Sequence, residues 1–335
     1  MNIISTWFYK ESKEESSYYP QVGFGNSPLA HSLYMKIQVP FFTTIRHYNP
    51  SARLIFFTNL DVLPEYLGEL FKRLSVEVVK IPYTCKPPQG WHDAWTNQFY
   101  VYDILKWAES HIAKDDVFLV TDADCVCHKS LNEFFLRTYE FGAGLYDSHY
   151  SCSNPQIMIN GITAKQLTEL YYEYKGLPAQ EKDLIAYYGG EFIAFRGDTL
   201  SLVNQEYAKL WAFNLDRFHK NLPKLNEEAL LLSVLVKSLG LENTIGNDYV
   251  NRIWTTKLYY TVKPTDFSLA LWHMPSEKKR GLYRLYRYFT KHPEVPVPDD
   301  KFWQWAGKIC GLSGLTLRKR LRDRVMMLYQ RIIAR

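Results

Sequence analysis

A chain of 335 residues, 47% of them apolar, is long enough for one large core or two smaller ones and too apolar to stay disordered. Its net charge of +5 is unevenly spread: residues 301–335 hold nine Lys/Arg against the single acid Asp323, giving that stretch +8 and leaving −3 for the rest. Five cysteines without framework spacing argue against a disulfide scaffold and for a reducing cytosol; no apolar run of about 18 residues predicts a transmembrane helix, and Met1 to Trp7 lacks the regions of a signal peptide.

Residues 2–9 predict a first strand running into a loop. Residues 53–59 and 76–81 predict two more strands, with helices over 29–46 and 63–74 between them; Leu33, Ile37, Val39 and Phe41 share one side of the first helix. This alternation predicts a parallel sheet covered on both faces. No Gly-x-Gly-x-x-Gly follows the first strand, which disfavours a dinucleotide site. The chain is rich in Tyr (25) and Trp (9), flat amphipathic rings suited to stacking on sugars and bases. Thr6, Trp7, Phe8, Tyr9, Tyr18 and Tyr19 are the candidates near the first strand. After a Pro/Gly loop over 84–93, a helix over 97–108 would carry Asn97, Tyr100 and Asp103 on one face.

Val117-Phe118-Leu119-Val120 is a buried-strand sequence, and it ends at Thr121-Asp122-Ala123-Asp124. Side chains alternate along a strand, so Asp122 and Asp124 are expected on the same side where the strand runs out. Paired carboxylates there suit a hard divalent cation, Mn²⁺ or Mg²⁺. Open α/β sheets bind ligands outside the carboxyl ends of their strands. Cys125-Val126-Cys127-His128 has no second Cys/His pair at finger-like spacing, so these read as small buried side chains rather than a zinc site.

Residues 140–147 predict a short strand ending at Asp147, and 148–183 an irregular then helical stretch carrying Tyr171, Tyr172 and Tyr174, candidates to border an acceptor. In Tyr187-Tyr188-Gly189-Gly190-Glu191 the paired glycines let a backbone approach a ligand closely. A strand follows, then a helix over 199–218. Leu225-Asn226-Glu227-Glu228 opens an apolar helix over 225–235, with Asn226 a good N-cap and the two acids favoured by the helix dipole. Late in the chain come Leu271-Trp272-His273 and the run Glu277-Lys278-Lys279-Arg280. Finally, Leu317, Leu321, Val325, Leu328 and Ile332 recur at steps of 4, 4, 3 and 4 among arginines. Residues 314–335 thus read as a basic amphipathic helix for an anionic membrane surface. Nucleic acid is disfavoured as a partner, since neither aromatic platforms nor a known binding fold is evident.

The Asp122-Ala123-Asp124 motif, the glycine stretch, the acidic pair and the late His with its basic sequel resemble, in order, GT-A glycosyltransferases. The likeness is to two retaining groups: the blood-group A/B and α-1,3-galactosyltransferases, and glycogenin with the bacterial lipopolysaccharide galactosyltransferases. It implies a Rossmann-like α/β catalytic domain over 1–290, nucleotide-binding to about 130 and acceptor-binding beyond, with a helical tail over 291–335. It implies Asp122, Asp124 and His273 as ligands to Mn²⁺ or Mg²⁺, and a nucleotide-sugar donor, UDP-linked. Thr6, Trp7, Tyr9, Asn97, Tyr100, Ala123, Gly189, Gly190, Lys278 and Lys279 would contact that donor. Glu228, with Glu227 and Glu191, would supply the carboxylate at the reacting carbon, and the acceptor would be a saccharide; the basic tail by itself adds the expectation of a glycolipid acceptor at the inner face of the cell membrane. The Gly and the Lys-Pro-Trp that follow the late His in glycogenin-like enzymes are missing, which leaves the phosphate residue open among Lys278, Lys279 and Arg280. A metal-dependent nucleotidyltransferase or phosphohydrolase, or a non-catalytic membrane-docked binding protein, is the competing expectation.

Overall fold

Where a sheet is covered on both faces, its strands are apolar runs rather than alternations. Val117–Thr121 is buried at all five positions and Arg53–Thr58 at five of six. The computed structural model describes residues 1–12, 14–15, 17–19, 21–92, 94–149, 154–178, 183–293 and 299–333, the side chains of 331–333 excepted. It is a mixed α/β protein with a mostly parallel six-stranded sheet flanked by helices, as the strand–helix alternation predicts. The strand order is Val76–Lys80, Arg53–Thr58, Asn2–Phe8, Val117–Thr121, Tyr188–Arg196, Ala143–Asp147. The first two run parallel and the last two antiparallel, with a register shift between Tyr188 and Ile193.

The chain forms two compact units. The first comprises residues 1–3, 81–120 and 134–247. Its aromatic core stacks Tyr102 on Tyr207 at 4.0 Å, and Tyr207 in turn on Trp211. The helix expected over 97–108 starts instead as a tight turn, Thr96–Phe99, and continues as Tyr100–His111. Side-chain amides tie loops to neighbouring elements: the buried Asn214 both donates to and accepts from the backbone of Leu225, at 2.9 and 2.8 Å. Asn247 does the same to Asp147. Each such pair satisfies two backbone groups at once.

The second unit comprises residues 4–80, 121–133 and 248–335. Its long helix, Pro28–Tyr48, is capped by Ser27, whose hydroxyl accepts from the amide of Ala30. A three-stranded sheet sets Leu271–His273 between Val250–Arg252 and Cys125–Cys127. The helix Asp300–Cys310 falls within the helical tail expected over 291–335, whereas Gly281–Lys291, like Asn132–Phe141 earlier in the chain, has no counterpart in the reading from sequence.

The final helix, Leu317–Ile333, forms where its periodicity predicts, but it is anchored by its polar residues. Lys319, 4% exposed, donates to both carboxylate oxygens of Glu277 (3.0 and 3.1 Å) and to Asp323 (2.7 Å). Gln330 donates to the carbonyl of Lys279. The apolar stripe is turned outward: Leu317, Leu321, Val325 and Leu328 are 81, 66, 60 and 59% exposed. The side chain of Ile332 lies outside the described residues. Among the described residues, no helix is long and apolar enough to cross a membrane.

Candidate metal centre

After Thr121 the chain passes through Asp122-Ala123-Asp124 and re-enters a strand, Cys125–Cys127. Side chains of the long Pro28–Tyr48 helix and its C-cap pin that strand. The amide of Cys127 donates to the Thr44 hydroxyl, and the amide of Leu131 to the Asn49 side-chain oxygen, both at 2.9 Å. On its other side it pairs antiparallel with Leu271–His273, with His273 opposite Cys125. The amide of Met274 extends this pairing to the carbonyl of Asp124. Register alone therefore carries His273, about 150 residues further along the chain, beside Asp124.

His273 Nε2 lies 3.4 Å from Asp124 Oδ1 and 3.8 Å from Asp122 Oδ2. One ligand atom from each of Asp122, Asp124 and His273 falls within 4.8 Å of the others. Asp124 and His273 are 2% exposed, whereas Asp122 keeps an accessible edge. Two carboxylate oxygens and an imidazole nitrogen make a donor set that fits Mn²⁺ or Mg²⁺. Among the described residues, this is where such ligands converge. The Cys125–His128 segment forms no part of it: its cysteines are buried, and the His128 ring packs 5.0 Å from Trp272.

Lys278, 7% exposed, completes the cluster by pairing its ammonium with Asp124 Oδ2. Burial would raise the pKa of Asp124, but the charges of Lys278 and His273 outweigh it and hold the carboxyl well below the usual range. Burial likewise disfavours the charged form of Lys278, and Asp124, Tyr34 and Asp122 reverse that and push its pKa up. Tyr34 presents its ring 5.7 Å from the Lys278 ammonium; burial, aided by the nearby acids, pushes its phenol up to about 12. Tyr34 is absent from the sequence-level candidates, because nothing local separates it from the other rings of its helix. Lys279 donates to the carbonyl of Val22.

In the first unit, Gly189 and Gly190 lie on Tyr188–Arg196 and meet the acids singled out with them. A Cβ on Gly190 would sit 2.3 Å from Glu228 Oε1, and one on Gly189 2.2 Å from Glu191 Oε2. Glycine is thus what lets these carboxylates rest against the strand. Glu191, Glu227 and Glu228 are 5, 4 and 8% exposed. The N-cap of Glu228–Leu239 is Glu227 rather than Asn226, and its side chain does not cap the helix. Its carboxylate instead accepts the Tyr187 hydroxyl at 2.5 Å. Asn226 bonds away from the helix, donating to the carbonyl of Asn160 and accepting from Lys224.

The remaining candidates are dispersed. Tyr100 is fully buried, its hydroxyl donating to the carbonyl of Ile81, so it does not share a solvent-facing surface with Asn97. Asp103 is buried as well, accepting the amides of Thr84 and Cys85. Thr6 is buried; Trp7 is partly exposed. The Tyr9 hydroxyl donates to Glu15.

No protein-family model and no curated protein matches the chain. Among solved structures, it is similar to the galactosyltransferase LgtC in complex with donor and acceptor sugar analogs (12% identity, 96% of this chain and 100% of that one, TM-score 0.47). It is also similar to mouse xyloside xylosyltransferase 1 in its apo form (11%, 82% and 97%, TM-score 0.45) and to the bifunctional glycosyltransferase WbbM (9%, 81% and 45%, TM-score 0.45).

Proposed function

We propose that this protein is a metal-dependent glycosyltransferase that moves a sugar from a nucleotide-sugar donor, UDP-linked, to a saccharide or glycolipid acceptor with retention of configuration. The observation that carries the reading is the convergence of Asp122, Asp124 and His273 within 4.8 Å, with Lys278 paired to Asp124. Asp122, Asp124 and His273 would hold Mn²⁺ or Mg²⁺. When bound, the ion supplies a Lewis acid that offsets charge on a diphosphate leaving group. Lys278, now paired with Asp124, would supply a cation to the diphosphate where negative charge accumulates. The role of Glu228, a carboxylate stabilising an oxocarbenium-like carbon, comes from the resemblance and is supported by its seat against Gly190. The outward stripe and exposed arginines of Leu317–Ile333 support attachment to an anionic membrane surface on the cytoplasmic side.

The test is release of nucleoside diphosphate from a panel of UDP- and GDP-sugars, with Mn²⁺ or with chelator, for wild type and Asp124→Asn. Turnover that needs the ion and is lost in the variant is expected. Turnover that survives both chelation and the substitution overturns the reading.

A further inference from the structure

The helices Gly281–Lys291, Asp300–Cys310 and Leu317–Ile333 contribute the lining of a cavity of about 320 Å³ within the second unit. Arg284, Arg287 and Lys291 recur at steps of 3 and 4, which puts them on one face of the first of these helices. Arg322 reaches in from the last helix. No Asp or Glu lines the space, and none of these four cations makes an ion pair among the described residues. Like charges gathered around one cavity repel each other, so an arrangement without counter-charge is suited to accept an anion. Arginine forks match phosphate oxygens two at a time. The rest of the wall is the His292 ring, 4.9 Å from Tyr288, and an aromatic and aliphatic surface in which Trp305 stands 5.1 Å from Tyr288, with Ile309 and Met326 beside them.

The same helix that supplies Arg322 and Met326 carries the exposed stripe. Leu321 and Val325 each precede a cavity residue by one position, about 100° round the helix. A charged pocket and an apolar ridge therefore sit on neighbouring faces of one helix, and the two halves of an anionic lipid are charged and apolar in the same way. Arg318, Arg320 and Arg324 are exposed around them. We propose that this cavity is a phosphate-binding site for the headgroup of an anionic phospholipid, with Leu317, Leu321, Val325 and Leu328 entering the acyl boundary. It rests on the membrane attachment proposed above and adds a defined headgroup site to it.

The experiment is cosedimentation of the full chain with phosphatidylcholine vesicles, with and without phosphatidylglycerol, at constant ionic strength. Wild type is compared with R284Q/R287Q, R318Q/R320Q and L321S/V325S. All of these residues except the half-buried Arg284 are exposed, and an unchanged thermal melt checks that each variant folds. Binding to phosphatidylglycerol vesicles alone is expected, weakened by about tenfold or more in R284Q/R287Q and by only a few fold in R318Q/R320Q. L321S/V325S is expected to lose vesicle binding as well. Equal losses in the two arginine pairs would overturn the cavity and leave diffuse surface charge, with the attachment intact. Binding to neither vesicle would overturn the attachment itself. Calorimetric titration of inorganic phosphate then separates the sources: heat seen in wild type without vesicle binding, and lost in R284Q/R287Q, would reassign the cavity to a soluble phosphate and overturn the lipid.

Discussion

Replacing Lys319 with Met removes the cation from between two carboxylates while keeping most of the side-chain volume. Glu277 is fully buried and holds, besides Lys319, the Thr255 hydroxyl and the amide of Gly281 at 2.7 Å. Breaking a buried pair from one side costs about 3–5 kcal/mol, because the other charge is left uncompensated. Glu277 has an escape, which is to take a proton. From the ordinary value of 4.5, neutralisation costs about 3.4 kcal/mol at pH 7 and about 1.4 kcal/mol at pH 5.5. Burial already raises the folded pKa of Glu277 above that value, against the pull of Lys319. A raised carboxyl pKa means the folded state binds the proton more tightly, so stability falls as pH climbs from the unfolded value towards the folded one. Without Lys319 the folded value climbs further and the window widens upward. The K319M penalty, measured against wild type by denaturant unfolding, should therefore be about 3 kcal/mol near pH 7 and about 2 kcal/mol smaller near pH 5.5. A penalty that is equal at both pH values, or below about 1 kcal/mol near pH 7, would refute the view that this cation anchors the tail helix.

Lys278→Ala leaves Asp124 buried without its cation, so the variant should melt lower than wild type in chelator. It should also gain more from Mn²⁺ in a thermal-shift assay, because the ion no longer displaces a lysine, while its turnover falls. Gly190→Ala would place a methyl group 2.3 Å from Glu228 Oε1, and displacing that carboxylate should cost about 1–3 kcal/mol of stability, read by thermal melt, and depress turnover. Asp103→Ala strips acceptors from the amides of Thr84 and Cys85 and should destabilise by about 2–3 kcal/mol in denaturant titration, with Mn²⁺ affinity unchanged.

The sequence by itself determined the class of fold and the nature of the candidate metal centre. The buried run Val117–Val120 stopping at two aspartates, and alternation of strand and helix, are local signals that need no partner to be read. The same holds for the periodic stripe of the last helix, since hydrophobic spacing reports a helix wherever its apolar face ends up. The tertiary structure decided which faces and charges meet. It turned the stripe outward, because Lys319 finds Glu277 forty-two positions earlier in the chain, a pairing no local pattern contains. It withdrew Tyr100 and Asp103 from the expected polar face by giving each a backbone partner in the loop ahead of their helix. It also brought His273 to Asp124 through strand register, and Tyr34 to Lys278 through packing. Chemistry of a residue type is written at its own position, whereas its neighbours in space depend on hydrogen-bonded ladders and buried contacts between segments far apart in the chain.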